Sequence, residues 1–133
     1  MDERDRKIKI LVIDDEEHLR NLLADILESA GYQVKTAAHG KEGLASFQAE
    51  RCDVVITDLG MPEMSGLEVA EAIKKIDPST PVILLTGLSF QFEGENNEKR
   101  KFDLLMSKPF QLNEVLAIVQ NALRIKGNNS VRV

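Results

Sequence analysis

Apolar positions fall into two kinds of run that alternate along the chain. The short, nearly continuous kind comprises Ile8-Lys9-Ile10-Leu11-Val12-Ile13, Asp53-Val54-Val55-Ile56-Thr57, Val82-Ile83-Leu84-Leu85 and Leu104-Leu105-Met106. Each has the length of a buried strand. Between them the spacing changes to that of helices. Leu19, Leu22, Leu23, Ile26, Leu27 and Ala30 recur at i, i+3, i+4 and i+7, and Gly31 supplies the stop. Gln33-Val34-Lys35-Thr36-Ala37 then alternates as a short strand, and Gly43 to Phe47 lies in a helix expected to reach about Arg51. Ser65 and Glu68 have the spacing of a capping box, which opens a helix to about Ile76 that Asp77-Pro78 ends. A last helix from about Gln111 to Lys126 aligns Leu112, Val115, Leu116, Val119, Ala122 and Leu123 on one stripe. Five strand–helix repeats predict an α/β fold, a parallel sheet covered by helices on both faces.

The rhythm breaks between Thr86 and Asp103. Residues 91–101 are polar, include Gly94, Asn96 and Asn97, and have no apolar face, so the fourth helix is expected to be short, frayed or displaced. Gly127-Asn128-Asn129-Ser130 has linker composition. The expected division is therefore a domain over 1–126 and a flexible tail, or the start of a linker, over 127–133.

With 133 residues, 43% of them hydrophobic, the chain suits one core and one domain. A net charge of −5 removes general attraction to nucleic acid, so any output through DNA needs another domain or another protein. Cys52 is the lone cysteine, which rules out an internal disulfide and fits a reducing cytosol. Neither a secretory signal nor an apolar membrane span is present. A cytoplasmic location is the expectation.

The candidate chemistry lies where the strands end. The first predicted strand stops at Asp14-Asp15 and the third at Asp58; Thr86 and Lys108 close the two that follow. Neighbouring parallel strands lie about 4.8 Å apart, so these residues should converge on one sheet edge. Two carboxylates about 4 Å apart repel by roughly 4 kcal/mol at an effective dielectric of about 20. A pocket holding three demands a cation, and oxygen-only ligands point to Mg²⁺, Mn²⁺ or Ca²⁺.

Plainer roles exist for each residue. Asp14 or Asp15 would serve as a helix cap, although a cap needs only one of them. Asp58 is separated by Leu59 to Met64 from a helix that has its own cap in Ser65. Thr86 alone is an ordinary loop hydroxyl and Lys108 alone a surface lysine; their convergence with three carboxylates is what singles them out. His18 and His39 lack a second His or Cys at ligand spacing and read as surface residues. Cys52 reads as a small apolar filler, and Lys99-Arg100-Lys101 as a solvated face.

Val12-Ile13-Asp14-Asp15-Glu16, Asp58-Leu59-Gly60-Met61-Pro62 with Ser65-Gly66, Thr86, and Lys108-Pro109-Phe110 occur in an order and spacing that resembles the receiver domain of two-component response regulators over nearly the whole chain. The resemblance implies a flavodoxin-like, doubly wound (βα)5 fold with strand order 2-1-3-4-5. It also implies that Asp58 accepts a phosphoryl group from the phosphohistidine of a sensor histidine kinase or a histidine phosphotransfer protein. Mg²⁺, with Mn²⁺ as alternative, would be held by Asp15 directly, Asp14 through water, Asp58, and the backbone carbonyl of Gly60. Lys108 would contact a phosphoryl oxygen and Thr86 would be the switch hydroxyl. The Lys108–Pro109 bond would be cis.

On this pattern the domain catalyses its own phosphorylation and dephosphorylation and is not an enzyme acting on other substrates. Phosphorylation would reshape the surface formed by the fourth helix, the fifth strand and the fifth helix, for a downstream effector or a phosphorylation-dependent homodimer. Leu105 departs from the pattern, since an aromatic residue usually stands there and moves with the threonine. Gly60 and Leu88 flank the site by resemblance, with Leu88 expected to shield the acyl phosphate.

Three other functions compete. A haloacid dehalogenase-type phosphohydrolase needs a second Asp two residues after its nucleophile, where this chain has Gly60. A flavin carrier would set its phosphate against Asp14-Asp15-Glu16-Glu17, and no glycine-rich nucleotide motif appears. A phosphorylation-independent pseudo-receiver binding module would use the same residues and is the closest rival.

Overall fold

A computed structural model describes residues 7–87 and 101–131. In chain order the elements are β1 (Lys9–Ile13), α1 (Glu17–Ser29), β2 (Gln33–Ala37), α2 (Gly40–Ala49), β3 (Val54–Asp58), α3 (Gly66–Ile76), β4 (Val82–Thr86), β5 (Leu104–Ser107) and α4 (Leu112–Val131). The strands form one parallel sheet in the order β2-β1-β3-β4-β5. This is the doubly wound, flavodoxin-like arrangement expected from the sequence.

Strand alternation divides the apolar side chains between two cores. Ile10, Val12, Val54, Ile56, Ile83 and Leu85 pack with Leu23 and Leu27 of α1 and with Val115, Val119 and Ala122 of α4. Leu11, Ile13, Val55, Val82 and Leu84 face the other way, onto Phe47 of α2 and Val69, Ala70 and Ile73 of α3. Because β1, β3 and β4 are covered on both sides, their runs are apolar at nearly every position. The edge strand β2 is mostly exposed, which accounts for its polar alternation.

Register then levels the strand ends. Ile13 pairs with both Ala37 and Thr57, so Asp14 leaves β1 beside Asp58. Asp58 pairs with Leu85, and Thr86 with Ser107, which brings Thr86 and Lys108 to the same edge. The opposite edge is closed by two other aspartates. Asp53 accepts the Lys9 N–H at 2.8 Å and the Lys126 ammonium at 2.8 Å. Asp103 accepts the Val82 N–H at 2.8 Å and an ion pair from Lys74 at 2.6 Å. Between these anchors Cys52 donates weakly to the Val54 carbonyl at 3.4 Å, and burial pushes its thiol up to about 12.

Several boundaries differ from the expectation. The helix α4 does not stop at Lys126 but runs through Gly127 to Val131, where a linker-like tail was expected. Gly and Asn weaken a helix by about 1 kcal/mol or less each, and without Pro nothing interrupts the backbone ladder. Helix α2 ends at Ala49, short of Arg51, and opens on His39, whose Nδ1 accepts the Glu42 N–H at 3.2 Å. His39 is therefore a helix cap as well as a surface residue. Ser65 and Glu68 form the capping box reciprocally. The expected irregular fourth helix, Leu88, Lys99 and Arg100 lie outside the described residues.

Where α3 begins, the chain passes so close to β3 that only glycine fits. A Cβ on Gly66 would lie 2.3 Å from the Asp58 carbonyl oxygen and 2.8 Å from Leu59 Cα, whereas one on Gly60 would meet nothing within 4 Å. Gly66→Ala is expected to cost about 1–3 kcal/mol in urea unfolding, and Gly60→Ala less than about 0.5 kcal/mol. Equal costs at the two positions would contradict this packing.

Candidate functional site

Asp14 is fully buried at the end of β1, and almost every polar atom it has is engaged. Its N–H donates to the Ala37 carbonyl at 3.1 Å, continuing the pairing with β2. Oδ1 accepts the Glu16 N–H at 2.8 Å, and the Asp14 carbonyl accepts the Arg20 guanidinium at 2.8 Å. Among the described residues Oδ2 is buried without a hydrogen-bond donor. The N-cap position of α1 belongs to Glu16, which makes no side-chain cap bond, so neither Asp14 nor Asp15 occupies the cap position.

Asp58, 6% exposed, ends β3 alongside. Oxygens of Asp14, Asp15 and Asp58 lie within 4.8 Å of one another. The Lys108 ammonium sits 2.9 Å from Asp58 Oδ1 and 3.7 Å from Asp14 Oδ2. Its backbone N–H donates to the Thr86 carbonyl at 2.7 Å, which ties the β5 end to the β4 end. Thr86 is buried, and the Lys108–Pro109 bond is cis, as the motif implied.

The loop from Leu59 to Met64 leaves β3 through a Leu59 N–H bond to the Leu85 carbonyl at 2.8 Å. It turns at Glu63, whose φ of 67° is left-handed, and returns when the Gly66 N–H reaches the Leu59 carbonyl at 2.9 Å. Gly60 is exposed on this loop, two residues after Asp58 in the chain.

Three carboxylates and one ammonium leave the cluster net negative, and the electrostatics follow. Burial pushes the Asp14 carboxyl above its ordinary range; the Glu16 N–H and Lys108 oppose this, while Asp58 and Asp15 add to it. Burial pulls Lys108 down, but the hydrogen bond it donates to Asp58 and the charges of Asp14 and Asp58 more than offset it, leaving the ammonium above its ordinary value. A buried acceptor without a donor costs about 1–3 kcal/mol, which a bound cation would relieve. The donors are all oxygen, so Asp14, Asp15 and Asp58 fit a hard divalent ion such as Mg²⁺.

The pattern that defines the response regulator receiver domain matches residues 10–120. This chain belongs to the response regulator receiver family. The receiver is 36% identical over 116 residues to the alkaline phosphatase synthesis transcriptional regulatory protein PhoP of Bacillus subtilis, covering 87% of this chain and 48% of that protein. It is 37% identical over 118 residues to the probable transcriptional regulator ycf27 of Guillardia theta, covering 89% of this chain and 46% of the relative. The chain thus spans about half the length of the curated relatives it matches.

Among solved structures, the chemotaxis protein CheY4 of Vibrio cholerae superposes with a TM-score of 0.83 at 32% identity, over 89% of this chain and 100% of that one. A CheY-like receiver from Methanospirillum hungatei gives 0.85 at 27% identity, over 93% and 99%.

All the sequence-nominated residues within the described part, Asp14, Asp15, Asp58, Gly60, Thr86 and Lys108, lie on one edge of the receiver sheet. Arg20 was not among them. It lies one turn after Glu16 in α1, and a lone arginine between Leu19 and Leu22 carries no pattern to mark it.

Since burial raises the Asp14 carboxyl, the unfolded chain releases this proton first, and the metal-free protein loses stability as pH climbs above the ordinary value of 3.8. Asp14→Asn is therefore expected to stabilise the metal-free receiver at pH 7, by on the order of 1 kcal/mol, with the gain fading as pH falls toward that value. Urea unfolding in EDTA across a pH series measures this. A variant less stable than wild type at pH 7 would show that Asp14 is not the strained member of the cluster.

Proposed function

We propose that this receiver is a phosphoacceptor in which Asp58 takes a phosphoryl group from a phosphohistidine with the help of a divalent cation. The observation that carries the reading is the convergence of Asp14, Asp15 and Asp58, with Asp14 Oδ2 lacking a donor, beside a Lys108 ammonium already on Asp58. A carboxylate oxygen of Asp58 attacks phosphorus as the phosphorus–nitrogen bond to imidazole breaks; the electron pair leaves with the imidazole, and Asp58 becomes an aspartyl phosphate. When bound, Mg²⁺ supplies positive charge that masks an acidic pocket from an anionic phosphoryl group. Asp14, Asp15, Asp58 and the Gly60 carbonyl are its proposed ligands.

Lys108 gives a second positive contact to a phosphoryl oxygen. Thr86, buried one residue past Leu85, is the proposed switch hydroxyl. Leu105 is 37% exposed and offers no aromatic ring to follow it, so the switch is proposed to act without ring rotation.

The proposed phosphodonor is a sensor histidine kinase or histidine phosphotransfer protein in the cytoplasm. Among the described residues no helix is long and apolar enough to cross a membrane. The two relatives named above are described as transcriptional regulators, and the net charge of −5 disfavours direct DNA contact by this receiver. Output is therefore proposed to pass to an effector domain or a separate protein. Residues 1–126 are proposed as the receiver unit, with 127–133 as a tail or the start of a linker.

Incubation with Mg²⁺ and acetyl phosphate is expected to add one phosphoryl group to wild type and none to Asp58→Asn, with EDTA abolishing the reaction. Intact mass reads the modification, and beryllofluoride should shift the amide NMR spectrum. An unmodified mass together with an unchanged spectrum would overturn this reading in favour of a phosphorylation-independent binding module.

A further inference from the structure

We propose that Arg20 is a positioning residue for the divalent ion, holding the Asp14-Asp15 pair in ligand geometry through the Asp14 carbonyl; the inference rests on the metal-dependent reading above. Arg20 reaches back from α1 over the β1–α1 turn, and its guanidinium donates to the Asp14 carbonyl at 2.8 Å. That carbonyl belongs to the planar peptide joining Asp14 to Asp15, so its direction sets ψ of Asp14 and φ of Asp15 together.

The N–H and Oδ1 of Asp14 are held from elsewhere. Its N–H is on Ala37 and its Oδ1 on the Glu16 N–H. The strand fixes one side of the turn and the helix the other, and Arg20 holds the peptide between them. Without the guanidinium this peptide gains freedom to rotate, and the exposed Asp15 carboxylate then samples directions away from Asp14 and Asp58. Partners that orient metal ligands are commonly worth about 10–100-fold in metal affinity.

Charge makes the two roles of Arg20 separable. A guanidinium beside a cation site repels the ion, so its removal tightens metal binding if electrostatics is all it contributes. Positioning predicts the opposite sign, a weaker site despite one positive charge fewer.

The test titrates the full chain with MgCl₂ alone, read by amide NMR shifts, in wild type, Asp15→Asn, Arg20→Met and Arg20→Lys, with each melted separately in EDTA. Arg20→Met is expected to raise the Mg²⁺ Kd about tenfold. Arg20→Lys, which keeps the charge and a donor of different reach, should lose less. At saturating Mg²⁺ the phosphorylation rate of Arg20→Met should approach that of wild type. A Kd equal to or below wild type in Arg20→Met overturns the inference, also where its melting in EDTA is lowered. If Arg20→Met does not fold, Arg20→Lys decides by the same criterion, a raised Kd supporting the role and an unchanged one overturning it. If wild type itself binds no Mg²⁺ and matches Asp15→Asn, the metal-dependent reading falls and takes this inference with it.

Discussion

Mutual repulsion of carboxylates in a confined space is the constraint around which this receiver is arranged. Asp14, Asp15 and Asp58 are crowded to within 4.8 Å, and one oxygen of the fully buried Asp14 has no donor. Only a rigid frame keeps such a cluster from relaxing outward. The frame is the pairing of β1 with β3 and the burial of both strands from two sides, which leaves the strand ends no freedom to part. The strain is offset by the many apolar contacts of two cores and is relieved locally by the Glu16 N–H and the Lys108 ammonium.

The two edges of the sheet use the same residue type to opposite ends. At the amino-terminal edge, Asp53 and Asp103 stand just before strands, and each satisfies the first N–H of a neighbouring strand and the ammonium of a lysine. Their charges are matched, and they close the sheet. At the carboxyl-terminal edge, Asp14 and Asp58 stand at strand ends where backbone donors have diverged into loops. In a parallel sheet this difference is built into chain direction. One edge can neutralise its acids and the other accumulates them.

Much of this was legible in the residue pattern because period is a local property. Apolar runs and helical spacing placed nine elements, and the Ser65 and Glu68 capping box located the start of α3. Asp58 stood out because no helix needed it as a cap. Less legible was anything that depends on one segment's reach toward another. Arg20 on the Asp14 carbonyl and His39 as the cap of α2 are contacts made by residues with no periodic signature. The end of α4 was misjudged for a related reason. Gly127 and the asparagines after it suggest a break by propensity, but a helix already nucleated by its packed stripe continues across weak formers.

By itself the sequence determined the alternation of strands and helices, the two-sided burial of the central strands and the identity of the acids at their ends, since these follow from local hydrophobic period and residue chemistry. Tertiary structure decided which acids share one pocket, which oxygen is left without a donor, and which distant side chain holds the turn between them. Those depend on strand register and on a few ångströms of separation through space, and spacing along a chain does not encode separation through space.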